Sequence, residues 1–238
     1  MKPYNQEDSK KEQVRDMFDN IAPTYDRLNH ILSINIDRLW RRRVVRLVRR
    51  MHPQRILDVA TGTGDLAIAL ARNIGDSKVH GVDLSAQMLS IAREKVAARG
   101  LNEQISLAVG DAEHLDVADG SVDVVTVAFG VRNFENLELG LREMHRTIKE
   151  GGHIVILEFS TPRSRIFGSI YRWYSHKVLP KVGRLISRDG AAYDYLPSSV
   201  DEFPAPERFM DMLREAGFKS CKARSQSFGI AQIYTAER

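Results

Sequence analysis

Two glycines, Gly62 and Gly64, close a short apolar run of Ile56, Leu57, Val59 and Ala60 in the stretch R-I-L-D-V-A-T-G-T-G-D that begins at Arg55. An apolar run ending in Gly-x-Gly is the pattern of a buried parallel strand that enters a tight turn and then a helix. Without Cβ atoms the turn can take positive φ, and a ligand can approach the main chain closely. About 20 residues further on, K-V-H-G-V-D-L reads as a second strand ending on Asp83. An ionised carboxylate is an acceptor-only group, suited there to the two hydroxyls of a ribose. The chemistry these residues point to is the binding of a nucleoside.

Asp65 narrows the choice. A dinucleotide site leaves this helix N-terminus open for a pyrophosphate, whereas a carboxylate at the helix start is expected to cap the helix itself and to repel a bound phosphate. A nucleoside without phosphates, carrying a cationic or zwitterionic tail, fits such a site. S-adenosylmethionine, with its sulfonium and amino-acid end, meets that description and NAD does not. A plain strand-to-helix turn also uses Gly-x-Gly, and it is Asp83 at the ribose offset that sets this one apart.

The elements that must position these residues follow from periodicity. Helices are expected at 65–72, 85–98 with Ser85 as cap, 137–148 and 206–216, and strands at 105–109, 122–129 and 153–159, with a closing hairpin of 218–223 and 230–236. Alternation of this kind gives an open, mostly parallel, doubly wound α/β sheet, with ligands at the carboxyl ends of its strands. Gly62, Asp83, Asp111 and Arg132 all fall just past strand ends. Ahead of this core, helices are expected at 10–21 and 25–34, separated by Pro23 as a breaker. In the following segment Trp40, Val44, Leu47, Val48 and Met51 share one face, and Arg41, Arg42, Arg43, Arg46, Arg49 and Arg50 fill the rest. Such a helix either lies on an anionic membrane or packs its apolar face on the domain with its arginines solvated.

With 238 residues, 43% of them hydrophobic, the chain can hold one full α/β domain with an appendage. The expected organisation is a single domain: an N-terminal helical segment at 1–52, a cofactor-binding core at 53–160, an acceptor-side insertion at 161–204, and a C-terminal helix and strand hairpin at 205–238. The insertion is rich in aromatics and prolines, Tyr171, Trp173 and Tyr174 among them, and suits a lid, an acceptor pocket or a homodimer surface. A single cysteine, Cys221, excludes an intrachain disulfide and an all-cysteine metal site, and fits a reducing compartment. The histidines show no close ligand spacing, so no metal is expected. No apolar run approaches the length of a membrane span, and no signal-peptide pattern opens the chain, so a cytoplasmic location is expected. The formal charge of +4 suits an anionic partner, nucleic acid or a lipid surface, without choosing between them.

Collected together, M-F-D-N-I-A-P-T-Y-D-R-L-N-H, L-D-V-A-T-G-T-G-D, G-V-D-L-S-A-Q-M-L, G-D-A-E-H-L, V-T-V-A-F-G-V-R-N-F and L-E-F-S resemble the class I methyltransferases. More closely, they resemble the menaquinone and ubiquinone biosynthesis C-methyltransferases. The form A-T-G-T-G-D and the segment I-S-R-D-G-A-A-Y-D-Y-L-P look more like the menaquinone-pathway members. The resemblance implies cofactor contacts at Thr63 in the glycine turn, Asp83 at the ribose, and Asp111 with Ala112 near the adenine. It implies methylation of a ring carbon of demethylmenaquinol, a naphthoquinol bearing a polyprenyl tail, at the inner face of the membrane. Arg132 is then the candidate to stabilise the phenolate or position a water, and Tyr25 to cover the cofactor or orient the quinol. Alternatives are a polyprenyl benzoquinol acceptor, or an RNA methyltransferase or RNA-binding module. The turn F-G-V-R-N-F is not the Asn-Pro-Pro-Tyr-like turn common in amino-methylating enzymes, so nucleic acid is not the expected partner.

Overall fold

The computed structural model describes residues 2–4, 7–32, 35–162 and 190–238. Seven strands form one sheet: β1 (Arg55–Val59), β2 (Lys78–Asp83), β3 (Ile105–Val109), β4 (Val122–Ala128), β5 (Ile148–Phe159), β6 (Lys219–Gln226) and β7 (Ala231–Glu237). Their order is β3-β2-β1-β4-β5-β7-β6, with β7 antiparallel to both neighbours and the other pairings parallel. Strand order reverses between β1 and β4, which opens a crevice at their carboxyl ends. This is the expected doubly wound α/β fold.

The central strands are buried on both faces, and alternate residues serve alternate layers. Ile56, Val79, Val124 and Val155 pack beneath α2 (Ile36–Arg49) and α3 (Asp65–Asn73). Leu57, Val82, Val125 and Ile154 face α5 (Leu137–Thr147) and α7 (Pro206–Glu215). The fourth helix, α4 (Ala86–Ala97), begins where Ser85 Oγ accepts the Met88 N–H at 3.0 Å, the cap expected there.

One expectation about the helices is corrected. Pro23 does not break the N-terminal helix: α1 runs unbroken over Lys10–Leu32. It opens with a reciprocal capping box, in which Ser9 Oγ accepts from Glu12 N–H and Glu12 Oε2 accepts from Ser9 N–H. Pro23 sits on its exposed side, where water can meet the missing donor, while burial of Met17, Ile21 and Ala22 carries the helix through. Within the insertion, α6 (Gly190–Glu202) is a helix despite Pro197, because Ala192 and Tyr195 pack against Met17, Ile21 and Met88. Tyr171, Trp173 and Tyr174 lie outside the described residues. The apolar face of α2 is committed to the core, with Trp40, Val44 and Val48 buried. Each such side chain is worth about 1.5–3 kcal/mol on burial, so only the arginine face of α2 meets solvent.

Asp58, in β1, is buried and lies in register with Gly81 on β2 and Thr126 on β4. Its two oxygens accept the hydroxyls of Thr126 and Thr61, each at 2.6 Å. Glycine at 81 gives Thr61 its room, since a Cβ there would lie 3.1 Å from Thr61 Oγ1 and 2.7 Å from a Leu107 methyl. Burial pushes the Asp58 carboxyl up to about 6, against the pull of both hydroxyls. A carboxyl raised in the folded state holds a proton that the unfolded chain has already lost, so stability falls as pH rises from about 4 to 6. Asp58→Asn should therefore gain on the parent by on the order of 3 kcal/mol between about pH 4 and pH 7. Urea unfolding at a series of pH values reads this; a pH-independent difference between the two proteins would overturn it.

Candidate active site

A cleft lies over the carboxyl ends of β1, β2 and β4, where Val59, Asp83 and Ala128 line it. Its floor is the glycine turn and Asp83. The roof is α1, which contributes Lys11, Val14, Phe18 and Tyr25. Tyr25 packs edge-on against Phe18, with ring centroids 5.9 Å apart.

The two glycines of the turn play different parts. Gly62 lines the cleft with φ 57°, and a Cβ there would meet nothing within 4 Å, so the space beside its main chain is open to a ligand. Gly64, with φ 79°, caps α3, and a Cβ there would lie 3.2 Å from the Ala92 methyl instead. The Gly62 N–H donates to Asp83 Oδ2 at 2.7 Å and the Ser85 N–H to Oδ1 at 2.9 Å. Each oxygen keeps a lone pair for a further donor. Burial raises the Asp83 carboxyl above its ordinary value, and these two N–H bonds oppose the rise.

Two residues that sequence reasoning missed shape the crevice. Ala60 and Phe129, at the ends of β1 and β4, hold positive φ of 53° and 63° and both line the cleft. A bulky residue rarely adopts this conformation. The Phe129 N–H donates to Leu157 O at 2.7 Å, which holds it there. Gly130 follows because a Cβ would come within 2.5 Å of Ala60 Cβ.

At the far end Asp111 and Ala112 line the cleft. Asp111 accepts Lys11 Nζ at 2.6 Å and the Glu113 N–H at 2.9 Å, and Lys11 also lies 3.1 Å from Glu113. Burial lowers the Lys11 ammonium, but its bonds to the two carboxylates overcome this and leave it raised. The lining carries Asp83, Asp111, Glu113 and Glu135 against Lys11, a balance that disfavours phosphate and suits a cationic tail. The open main chain at Gly62, the spare acceptors of Asp83 and this charge together fit S-adenosylmethionine.

Thr63, expected to touch the cofactor, turns its hydroxyl to Asp26 of α1 at 2.5 Å and to Lys95 Nζ at 3.2 Å. Lys95 also pairs with Asp26 and Asp65. Asp65 therefore does not cap α3: Gly64 is the cap residue, and no side chain bonds there. Asp65 is already in the first helical turn, where its side chain reaches across to α4.

Arg132 occupies a short turn, Val131–Asn133, and its side chain leaves the cleft wall. The guanidinium pairs with the buried Glu158 at 2.7 Å, donates to Phe129 O at 2.6 Å and Ser199 Oγ at 3.2 Å, and lies 5.4 Å from the Phe159 ring. Burial pushes the Glu158 carboxyl up, and Arg132 pulls it back only in part. The neighbouring Asn133, which lines the cleft, accepts the Tyr195 hydroxyl at 3.3 Å. Burial pushes Tyr195 up to about 12, so it stays a donor. Lys11, Asn133 and Glu158 were missed by sequence reasoning, although Asn133 stands beside Arg132 in F-G-V-R-N-F. Cys221 lies on the edge strand β6, apart from the cleft-forming strands.

Residues 6–238 match the model of the ubiE/COQ5 methyltransferase family. The chain belongs to that family. It is 46% identical over 238 residues to the demethylmenaquinone methyltransferase of Bacteroides fragilis, covering 100% of this chain and 97% of the relative. It is 48% identical over 230 residues to the ubiquinone/menaquinone biosynthesis C-methyltransferase UbiE of Geobacter sulfurreducens, covering 96% and 90%. A crystal structure of a SAM-dependent methyltransferase from Aquifex aeolicus shares the fold, with a TM-score of 0.58 and 19% identity over 78% of this chain and 82% of that one. This member of the ubiE/COQ5 family is an S-adenosylmethionine-dependent methyltransferase. No helix among the described residues is long and apolar enough to cross a membrane.

Asp83→Ala should weaken binding of S-adenosylmethionine by about 1.5–3 kcal/mol, the worth of hydrogen bonds to a charged group. Calorimetry giving an unchanged affinity would refute this. Arg132→Ala strands a buried carboxylate and should cost about 3–5 kcal/mol of stability, most of which Arg132→Met with Glu158→Leu should recover. Equal denaturation midpoints for parent and Arg132→Ala would rule it out.

Proposed function

We propose that the enzyme methylates a ring carbon of demethylmenaquinol, a naphthoquinol with a polyprenyl tail. What carries the reading is identity of 46% along the full chain to a demethylmenaquinone methyltransferase. The cleft supports it: beside the acidic floor, Val14, Phe18, Phe129 and Phe134 form an apolar, largely aromatic wall suited to a flat ring. The Geobacter relative's name includes ubiquinone as well, which makes a polyprenyl benzoquinol the second reading.

Asp83 would hold the ribose, Gly62 would admit the cofactor to the main chain, and Asp111 and Ala112 would border the adenine. Thr63 and Gly64 would act behind them by fixing the turn. Bound there, S-adenosylmethionine supplies a methyl group on a positively charged sulfur. The acceptor ring becomes nucleophilic when a quinol hydroxyl loses its proton; its carbon would take the methyl as the methyl–sulfur bond breaks, the sulfur leaving as a neutral thioether, and the ring proton would then depart. Tyr25 and Phe18 on α1 cover the cleft and exclude water, and the Tyr25 hydroxyl can orient a quinol oxygen. Asn133 Oδ1, which already accepts from Tyr195, has a second lone pair for a quinol hydroxyl. Arg132 is a positioning residue: through Phe129 O it fixes the turn that presents Phe129 and Asn133 to the ring.

Cofactor labelled in its methyl group, offered with a short-tailed demethylnaphthoquinol, the corresponding benzoquinol or total RNA, tests the assignment. Label should appear on the naphthoquinol ring carbon. Label confined to the benzoquinol or to RNA would reject it.

A further inference from the structure

The two lysines that open α1, Lys10 and Lys11, stand in its first turn, where the helix dipole disfavours a cation. What they reach accounts for their place. Lys11 lines the cleft and bonds to Asp111 Oδ2 at 2.6 Å, in the loop after β3. Lys10 does not line the cleft and turns instead to the segment after β4, where its Nζ donates to Phe134 O at 2.6 Å and to Arg132 O at 3.4 Å. Those two carbonyls flank Asn133, and Asn133 and Phe134 both line the cleft. Neighbouring side chains of one helix thus hold two different loops of the site.

The turn at Gly130–Phe134 has little to hold it in place by itself. Its own main-chain bonds run from the Asn133 N–H to Gly130 O at 3.0 Å and from the Phe134 N–H to Val131 O at 3.3 Å, the weaker geometry of a short 3-10 turn. Its placement comes from outside. The Arg132 guanidinium holds Phe129 O at the start of the turn, and Lys10 holds the end. Just beyond, Glu113 Oε1 accepts the N–H groups of Glu135 and Asn136 at 2.8 and 2.9 Å. The Lys10 N–H in turn donates to Glu135 Oε1 at 3.0 Å. Burial pushes the Lys10 ammonium below its ordinary value, and Glu202, Glu113 and Glu135 offset this only in part. While it stays charged, its bonds to the two carbonyls are charge-assisted and strong.

Glu113 touches both loops, since its other oxygen lies 3.1 Å from Lys11 Nζ. Without that ammonium it would still keep its two amide donors, so the turn after β4 does not hang on Lys11. Asp111 does: its Oδ1 takes the Glu113 N–H, and its Oδ2 takes Lys11.

We propose that Lys10 and Lys11 are positioning residues with divided duties. Lys11, through Asp111, sets the cofactor side of the cleft, and Lys10, through Asn133 and Phe134, sets the acceptor side. The Lys10 half rests on the reading of the acceptor as a flat quinol ring, whereas the Lys11 half needs only S-adenosylmethionine.

Lys10→Met and Lys11→Met, each compared with the parent, separate the two duties. Lys11→Met should weaken S-adenosylmethionine about tenfold in calorimetry, with the acceptor KM at saturating cofactor unchanged. Lys10→Met should bind S-adenosylmethionine as the parent does, which shows that it is folded, and should lose about tenfold in kcat/KM for whichever quinol the parent methylates. Lys10→Arg, which keeps charged donors for the same carbonyls, should recover most of that loss. Amide hydrogen exchange reads the same division with no acceptor present: segment 131–136 should exchange faster in Lys10→Met alone, and segment 111–115 in Lys11→Met alone. The same changes in both variants would make the start of α1 a single structural unit and overturn the proposal. An unchanged kcat/KM in Lys10→Met, or a Lys10→Arg enzyme as impaired as Lys10→Met, would overturn it too. A parent that methylates no quinol, with exchange still divided between the variants, would uphold the two duties and reject the acceptor assignment.

Discussion

The glycine turn keeps its shape because a carboxylate is buried in the middle of the sheet. Asp58 would be costly to bury alone, and its two hydroxyl partners come from the two structures that border the crevice, Thr61 in the turn and Thr126 on β4. The turn is thereby pinned to β4 across the switch point, and Gly81 on β2 leaves the space in which Thr61 reaches back. Three adjacent strands thus agree on one position for the main chain at Gly62. From there the Gly62 N–H finds Asp83, and the cofactor side of the cleft is set before any ligand arrives.

Closure of the cleft is a matter of charge. Along α1, Lys11 reaches Asp111 and Glu113 at one end, while Asp26 meets Lys95 at the other. Between them Ser85 Oγ donates to Asp19, tying the start of α4 to the same helix. These contacts draw α1 over an acidic floor that would otherwise be open to water. They also explain why residues far ahead of the glycine turn belong to the site.

The opposite wall depends on the Arg132–Glu158 pair. A buried ion pair adds little net stability, yet it is costly to break on one side. Here it joins the ends of β4 and β5 to Ser199 of α6, and its bond to Phe129 O holds a strained residue at the cleft. The geometry makes Arg132 part of the framework behind the cleft wall.

Much of this was legible in the residues. The Gly-x-Gly turn, Asp83 at the ribose offset, the strands with apolar residues on both faces and the Ser85 cap are local signals, each written within a few neighbouring positions by backbone freedom, periodicity or hydrogen-bonding capacity. The pairings were not legible. Nothing near Asp65 announces Lys95, nothing near Arg132 announces Glu158, and Pro23 reads locally as a break although it lies inside a helix. Whether the apolar face of α2 packs on the domain or lies on a membrane was equally undecided by its pattern alone. The sequence by itself determined the fold class and the nucleoside cofactor. Only the tertiary structure decided how charged side chains are paired and where helices persist, because both depend on burial against partners distant in the chain, whose free energy outweighs local preference.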